Sequence, residues 1–178
     1  MDQYPAYTIS VATPADIPAL LPLINSAYRG APSRMGWTTE ADFIAGAIRT
    51  NAADLRELMG RAGALILKIC GSDARPAGCV FLENRNGRLY LGMLSVWPEQ
   101  QNAGIGKRLL EAAEKQAAEA GCSSVFMQVI SLRTELIAWY ERHGYRVTGI
   151  RKPFDGPPEF GKPTQPLEFL ILEKRLTL

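Results

Sequence analysis

Leu91-Gly92-Met93-Leu94-Ser95-Val96-Trp97-Pro98-Glu99-Gln100-Gln101-Asn102-Ala103-Gly104-Ile105-Gly106-Lys107-Arg108-Leu109-Leu110 is the stretch from which the fold of this chain can be read. An apolar strand runs to Val96, Pro98 breaks it, and a glycine-punctuated turn leads into an amphipathic helix. A helix N-terminus carries unpaired N–H groups and partial positive charge, so this turn is a natural seat for phosphate. Gly104 and Gly106 would let the backbone approach an anion with no Cβ in the way. Two familiar nucleotide motifs fail on the letters. A Walker A loop needs glycine where Gln101 stands and Ser or Thr where Arg108 stands, and a dinucleotide fingerprint needs a third glycine where Leu109 stands. What remains is Gln-x-x-Gly-x-Gly between a strand and a helix.

Upstream of this stretch, Ala64–Cys70, Pro76–Glu83 and Arg88–Val96 read as three strands. The turns Gly71-Ser72-Asp73-Ala74-Arg75 and Asn84-Arg85-Asn86-Gly87 make them an antiparallel meander. Downstream, the helix after Gly104 turns Ile105, Leu109, Ala112, Ala113 and Ala120 inward and closes at Gly121. Ser124–Ile130 is then a strand parallel to the one ending at Val96, as a strand–helix–strand crossover requires. Ser131 opens a further helix with Leu132, Leu136, Trp139 and Tyr140 on one face, and Gly144 ends it. Tyr145–Ile150 and Leu167–Glu173 are the last strands, joined by a proline-rich loop holding Phe154 and Phe160.

The N-terminal third begins with a strand at Tyr7–Val11. A capping box at Thr13-Pro14-Ala15-Asp16 then starts a helix with Ile17, Leu20, Leu21, Ile24 and Tyr28 on one face. A second helix is expected behind Thr39-x-x-Asp42, striped by Phe43, Ile44, Ala47 and Ile48, and a third over Ala53–Arg61. The order predicts α/β (α+β) architecture: a mixed central sheet of about six to seven strands with helices on both faces, in one domain spanning 1–178.

Of the 178 residues, 47% are hydrophobic and 21% charged, and the net charge is +2 with no block of Lys and Arg. That argues against a nucleic-acid binder. Cys70, Cys79 and Cys122 lack metal-ligand spacing and read as thiols in a reducing compartment. No apolar run approaches ~18 residues, so a soluble, cytoplasmic protein without membrane partners is expected. There is one histidine, His143, and no Ser/His/Asp or Cys/His set, so a covalent intermediate on the protein is not expected.

The Gln-x-x-Gly-x-Gly turn resembles the pyrophosphate-binding motif of the GNAT superfamily of acyl-CoA-dependent N-acyltransferases. Ala138-Trp139-Tyr140-Glu141-Arg142-His143-Gly144-Tyr145 looks like that superfamily's later motif, and the resemblance runs roughly from Tyr7 to Leu176. It implies a GNAT-like acyltransferase fold, acetyl-CoA as cosubstrate, no metal, and direct attack by a primary amine of a small molecule or peptide. The pyrophosphate would rest on Asn102, Ala103, Gly104, Ile105, Gly106 and Lys107, with Gln101 ordering the turn and Lys107 or Arg108 adding charge. The pantetheine arm would pair with Leu94, Ser95 and Val96. The superfamily often has Asn in the first turn of the Tyr140 helix; here Arg133 would serve a phosphate instead. By resemblance Tyr140 is the general acid.

An amine with pKa ~10 must lose a proton before attack, and Glu83 and Glu40 are the carboxylates considered for it. Arg34, Trp37, Glu40 and Phe154 would line the acceptor side. Two alternatives stay open: a non-catalytic acyl-CoA-sensing module of the same fold, and a transferase for a longer acyl group. An exposed final strand would offer an edge for a homodimer.

Overall fold

The computed structural model describes residues 6–177. Its elements are β1 (Thr8–Val11), α1 (Ile17–Tyr28), a single turn α2 (Gly30–Ser33), β2 (Ile44–Ala45), α3 (Ala52–Gly60), β3 (Ala64–Cys70), β4 (Pro76–Arg85), β5 (Arg88–Val96), α4 (Ile105–Glu119), β6 (Ser124–Ile130), α5 (Thr134–Arg142), β7 (Arg146–Pro153), β8 (Lys162–Pro163) and β9 (Glu168–Arg175). Seven strands form one mixed sheet in the order β1-β3-β4-β5-β6-β9-β7, and β2 pairs separately with β8. One apolar cluster joins the sheet to α4 and α5 around Leu109, Ala113, Val125 and Tyr145. The other joins the opposite face to α1 and α3 around Leu20, Leu23, Ile24 and Leu55. The mixed sheet with a helical layer on each face is the architecture expected.

β5 positions the site. Gly78 and Cys79 of β4 face Val96 and Ser95, but Phe81 faces Gly92, so Met93 and Leu94 together oppose Val80 alone. This is a β-bulge, with Met93 at φ 50° and its carbonyl accepting a hydrogen bond from the Ser95 hydroxyl at 2.9 Å. A bulge bends its strand, and β5 pairs with β6 only at Leu89↔Val125 and Tyr90↔Phe126. From Leu91 onward the two parallel strands have parted, while β6 stays paired with β9 along its whole length. The result is a V-shaped gap in the middle of the sheet, opening toward the turn before α4.

The structure corrects several expectations. No helix follows Thr39. The Thr39 hydroxyl accepts from the Ala41 N–H at 2.9 Å, a local turn that competes with capping, and Asp42 pairs with Arg34. Ile44–Ala45 pairs with β8 instead, and Gly46 stands at φ 120°, outside helical space. α5 starts at Thr134, not Ser131, and Leu132 is left exposed. On α4, Ala112 packs half-buried against the core as expected, but Ala120 is exposed, and Leu110 and Ala117 are buried beside Ile105, Leu109 and Ala113. The final strand β9 lies between β6 and β7, so it offers no free edge for a homodimer; the edge strand on that side is β7.

Candidate active site

Two cavities meet inside the V. The first, about 760 Å³ with the open space at its mouth, is bounded by Leu94 and Val96 on β5, by Gln101, Asn102 and the Gly104–Lys107 segment at the α4 turn, and by Trp139 and Tyr140 on α5. The second, about 990 Å³, lies between the Leu91–Leu94 and Met127–Val129 segments of the parted strands. Arg29, Glu40, Arg49, Phe154, Asp155 and Phe160 complete it. Tyr28, Leu94, Arg133, Leu136 and Tyr140 line both cavities and mark the junction.

In the first cavity the α4 turn is shaped for an anion. Asn102 and Gly104 adopt left-handed φ values of 66° and 82°, and Gly104 caps α4 without any side-chain cap bond. The donors of the first helical turn are therefore left for a ligand. A Cβ at Gly104 would meet no atom within 4 Å, so the space beside it is open. Lys107 lines this cavity, but Arg108 does not; its guanidinium packs 5.6 Å from the Tyr7 ring centroid. Gln101 does more than order the turn. Its amide donates to the Val96 carbonyl at 3.2 Å and accepts from the Trp37 N–H at 3.1 Å, tying the loop before β2 to the splayed strand. The Trp37 ring lies 6.4 Å from that of Trp139, so Trp37 roofs this cavity instead of walling the second.

Tyr140 sits at the junction, 4% exposed, its ring edge-on to Trp139 and Tyr145. Burial pushes its phenol well above the ordinary range, and Tyr28 and Tyr90 add to the shift against Arg133. His143 caps α5 with Nδ1 2.7 Å from the Trp139 carbonyl oxygen and lines neither cavity.

Most of the anticipated cofactor residues come together, among them Leu94, Val96, Gln101, Asn102, Gly104, Ile105, Gly106, Lys107 and Arg133. Ser95 turns away against Met93, and Ala103 stands exposed outside the lining. The structure does not bring Glu83 to the site: it pairs with Arg85 and, at 3.6 Å, with Arg61, and lines neither cavity. Arg34 is exposed, paired with Asp42, and likewise lines neither. Phe154 does line the second cavity and packs 5.3 Å from Phe169.

Glu40 reaches the second cavity, but as a buried counter-ion. It is 7% exposed and bonded to Arg29 and, at 3.1 Å, to Arg133, each 4% exposed. Burial alone would raise its carboxyl; Arg133, Arg29 and Arg49 outweigh that and hold it below the ordinary value. Burial lowers the Arg29 pKa while Glu40 raises it, and the guanidinium stays charged. A carboxylate held between two guanidiniums is a poor proton acceptor. Arg133 also donates to the Thr38 hydroxyl at 2.9 Å, and its Nε is buried without a hydrogen-bond partner among the described residues. Sequence reasoning missed Arg29, Arg49 and Asp155. Arg29 precedes a helix-stopping glycine and reads as surface, whereas only the folded chain shows it buried against Glu40.

The rest of the chemistry-bearing residues stay apart from the cavities. Cys79 is buried opposite Ser95, and burial pushes its thiol up to about 12. Among the described residues no group of three or more His, Cys, Asp or Glu could hold a metal ion, and no helix is long and apolar enough to cross a membrane.

Comparison with known proteins agrees with this geometry. The chain resembles, at 28% identity over 81 residues, the uncharacterized N-acetyltransferase YjcF of Bacillus subtilis (46% of this chain, 56% of that protein). It is also 28% identical over 68 residues to the spermine/spermidine N(1)-acetyltransferase of the same organism (38% and 45%). The chain spans about half the length of these curated relatives. Among solved structures, the ribosomal-protein-S18-alanine N-acetyltransferase of Escherichia coli superposes with TM-score 0.71 at 17% identity, covering 97% of this chain and 96% of that one. YncA of Salmonella typhimurium, solved with its cofactor acetyl-CoA, gives 0.67 at 18% identity, covering 97% and 95%. The profile of the Acetyltransferase (GNAT) family matches residues 27–145, which hold the bulged strand, the Gly104 turn and the Tyr140 helix, and the chain belongs to that family.

Proposed function

We propose that this chain, as one domain, transfers an acetyl group from acetyl-CoA to a primary amine of a small molecule or peptide. The observation that carries this reading is the junction. A cavity ending on an open helix N-terminus meets a second cavity at Leu94 and Tyr140, where β5 has parted from β6. Acetyl-CoA supplies an activated acetyl thioester. The N–H groups around Gly104, with Lys107, suit its pyrophosphate, and the backbone of Leu94 and Val96, on the part of β5 that has left β6, suits the amides of its pantetheine arm.

In this reading the Leu94 N–H, in the bulge where β5 has parted from β6, stabilises the oxyanion formed as the amine attacks. Such a donor is typically worth about 3 kcal/mol. Tyr140 then gives its phenol proton to the departing thiolate. With Glu40 neutralised and Glu83 distant, the amine's proton leaves to water. Among the described residues no Cys, Ser, Thr, His or Lys lines the junction, which supports direct transfer.

Acetyl-CoA is expected to raise the melting temperature of the wild-type chain, and Gly104→Glu to abolish that rise by placing bulk and negative charge on the anion seat. Thiol release with an amine panel then separates transferase from sensor. An unchanged melting curve at millimolar acetyl-CoA would overturn the reading; protection without turnover of any amine would leave only a binding module.

A further inference from the structure

We infer that the acceptor carries an anionic group beside its amine, a carboxylate in the simplest case, and that Arg49 receives it. This rests on the transferase reading above. The second cavity has more buried cation than anion. Arg29 and Arg133 share the single carboxylate of Glu40. Arg49 lines the same cavity, its guanidinium 5.4 Å from the Tyr28 ring centroid, and no carboxylate among the described residues lies within ion-pair distance of it. Asp155, the other carboxylate of the lining, is exposed.

The position of Arg49 is built into the fold. The N–H groups of Arg49 and Thr50 donate to Asn25 Oδ1 at 2.7 and 3.0 Å, and the Asn25 amide donates back to the Thr50 carbonyl at 3.3 Å. One α1 side chain therefore fixes the backbone of a loop that would otherwise be free to wander. The chemistry of Arg29 is already committed to Glu40 and, through Nε, to the Phe160 carbonyl. Among the described residues that line this cavity, Arg49 is the guanidinium with no carboxylate partner, and so the one placed to receive an anion.

The phosphates of acetyl-CoA are not the missing counter-ion. Their seat at Gly104 lines the first cavity, and neither Arg29 nor Arg49 lines it. An acceptor with only positive charges, as spermidine has, would meet these guanidiniums across a half-enclosed site of lowered dielectric. An amino acid brings its own anion. A guanidinium fork matches a carboxylate in plane, leaving the adjacent amine free to face Leu94 and Tyr140. Tyr90, Phe154, Phe160 and Phe169 form the remaining wall, apolar ground for a side chain. The substrate class is therefore α-amino acids and compounds of their shape.

The test uses the purified full chain with saturating acetyl-CoA and follows thiol release. Each standard L-amino acid is compared with its own α-carboxamide, and spermidine serves as the polycation. The best acid should exceed its amide in kcat/KM by about tenfold or more, with spermidine below both. The carboxamide's amine is less basic and so more available, which makes the expected preference stringent. Arg49→Gln should raise KM for that acid by about 10–100-fold, the usual weight of a charge-assisted contact, and narrow the acid-to-amide ratio; Arg49→Lys should recover part of it. Amides equal to acids, spermidine as the best acceptor, or a loss in Arg49→Gln that falls alike on acid and amide would each overturn the inference. Amides or spermidine acetylated with acetyl-CoA protection intact would sink this inference alone, whereas absence of acetyl-CoA protection sinks the transferase reading beneath it.

Discussion

Replacing Tyr140 by Phe is expected to lower kcat by about a hundredfold or more while leaving acetyl-CoA protection against melting nearly unchanged. The ring is held edge-on between Trp139 and Tyr145, and a phenylalanine keeps those contacts, so the loss should reside in chemistry and not in folding. The pH profile gives an independent reading. Burial raises the Tyr140 phenol above its ordinary ~10, so it stays protonated up to at least about pH 10. Activity of the wild type should thus rise with pH as the acceptor amine loses its proton, with no descending limb below about pH 10. Full turnover in Tyr140→Phe would demote the residue to a core aromatic.

The parts of the site that lie in one continuous stretch were legible before the structure. Strand, break, turn and helix from Leu91 to Leu110 follow from local chemistry, because each glycine and proline acts on its own backbone. The pantetheine pairing expected of Leu94, Ser95 and Val96 needs β5 to part from its parallel neighbour; the bulge that parts them, at Met93, leaves no compositional mark, since methionine at positive φ is not a sequence signal. What failed was the segment from Thr39 to Ile48. Its capping letters and apolar spacing fit a helix, but Glu40 is drawn inward by Arg29, just after α1, and Arg133, just before α5, contacts 11 and 93 residues away along the chain. Long-range charge outweighed a local preference that is worth only about 1 kcal/mol for a cap. The same separation hid the second cavity. Arg29, Arg49, Arg133 and Asp155 belong to four segments that only the sheet's V brings together.

Glu40→Ala tests that cluster and should be the most destabilising single change at the site. It leaves Arg29 and Arg133 buried at 4% exposure without their shared counter-ion. Stranding a buried charge typically costs about 3–5 kcal/mol, which for a chain of this size is a fall of roughly 6–20 °C in Tm. Glu40→Gln should fall less, since an amide oxygen still accepts from one guanidinium. The acid dependence has a definite sign. The folded carboxyl is held below its unfolded value of 4.5, so its contribution is fully present above that pH and fades as pH falls through the folded value. The gap in Tm between wild type and Glu40→Gln should therefore be widest near neutrality and close in acid. A Tm for Glu40→Ala within about 2 °C of wild type at pH 7 would mean that the two guanidiniums find water once the carboxylate is gone, and that the cavity opens more readily than its burial implies.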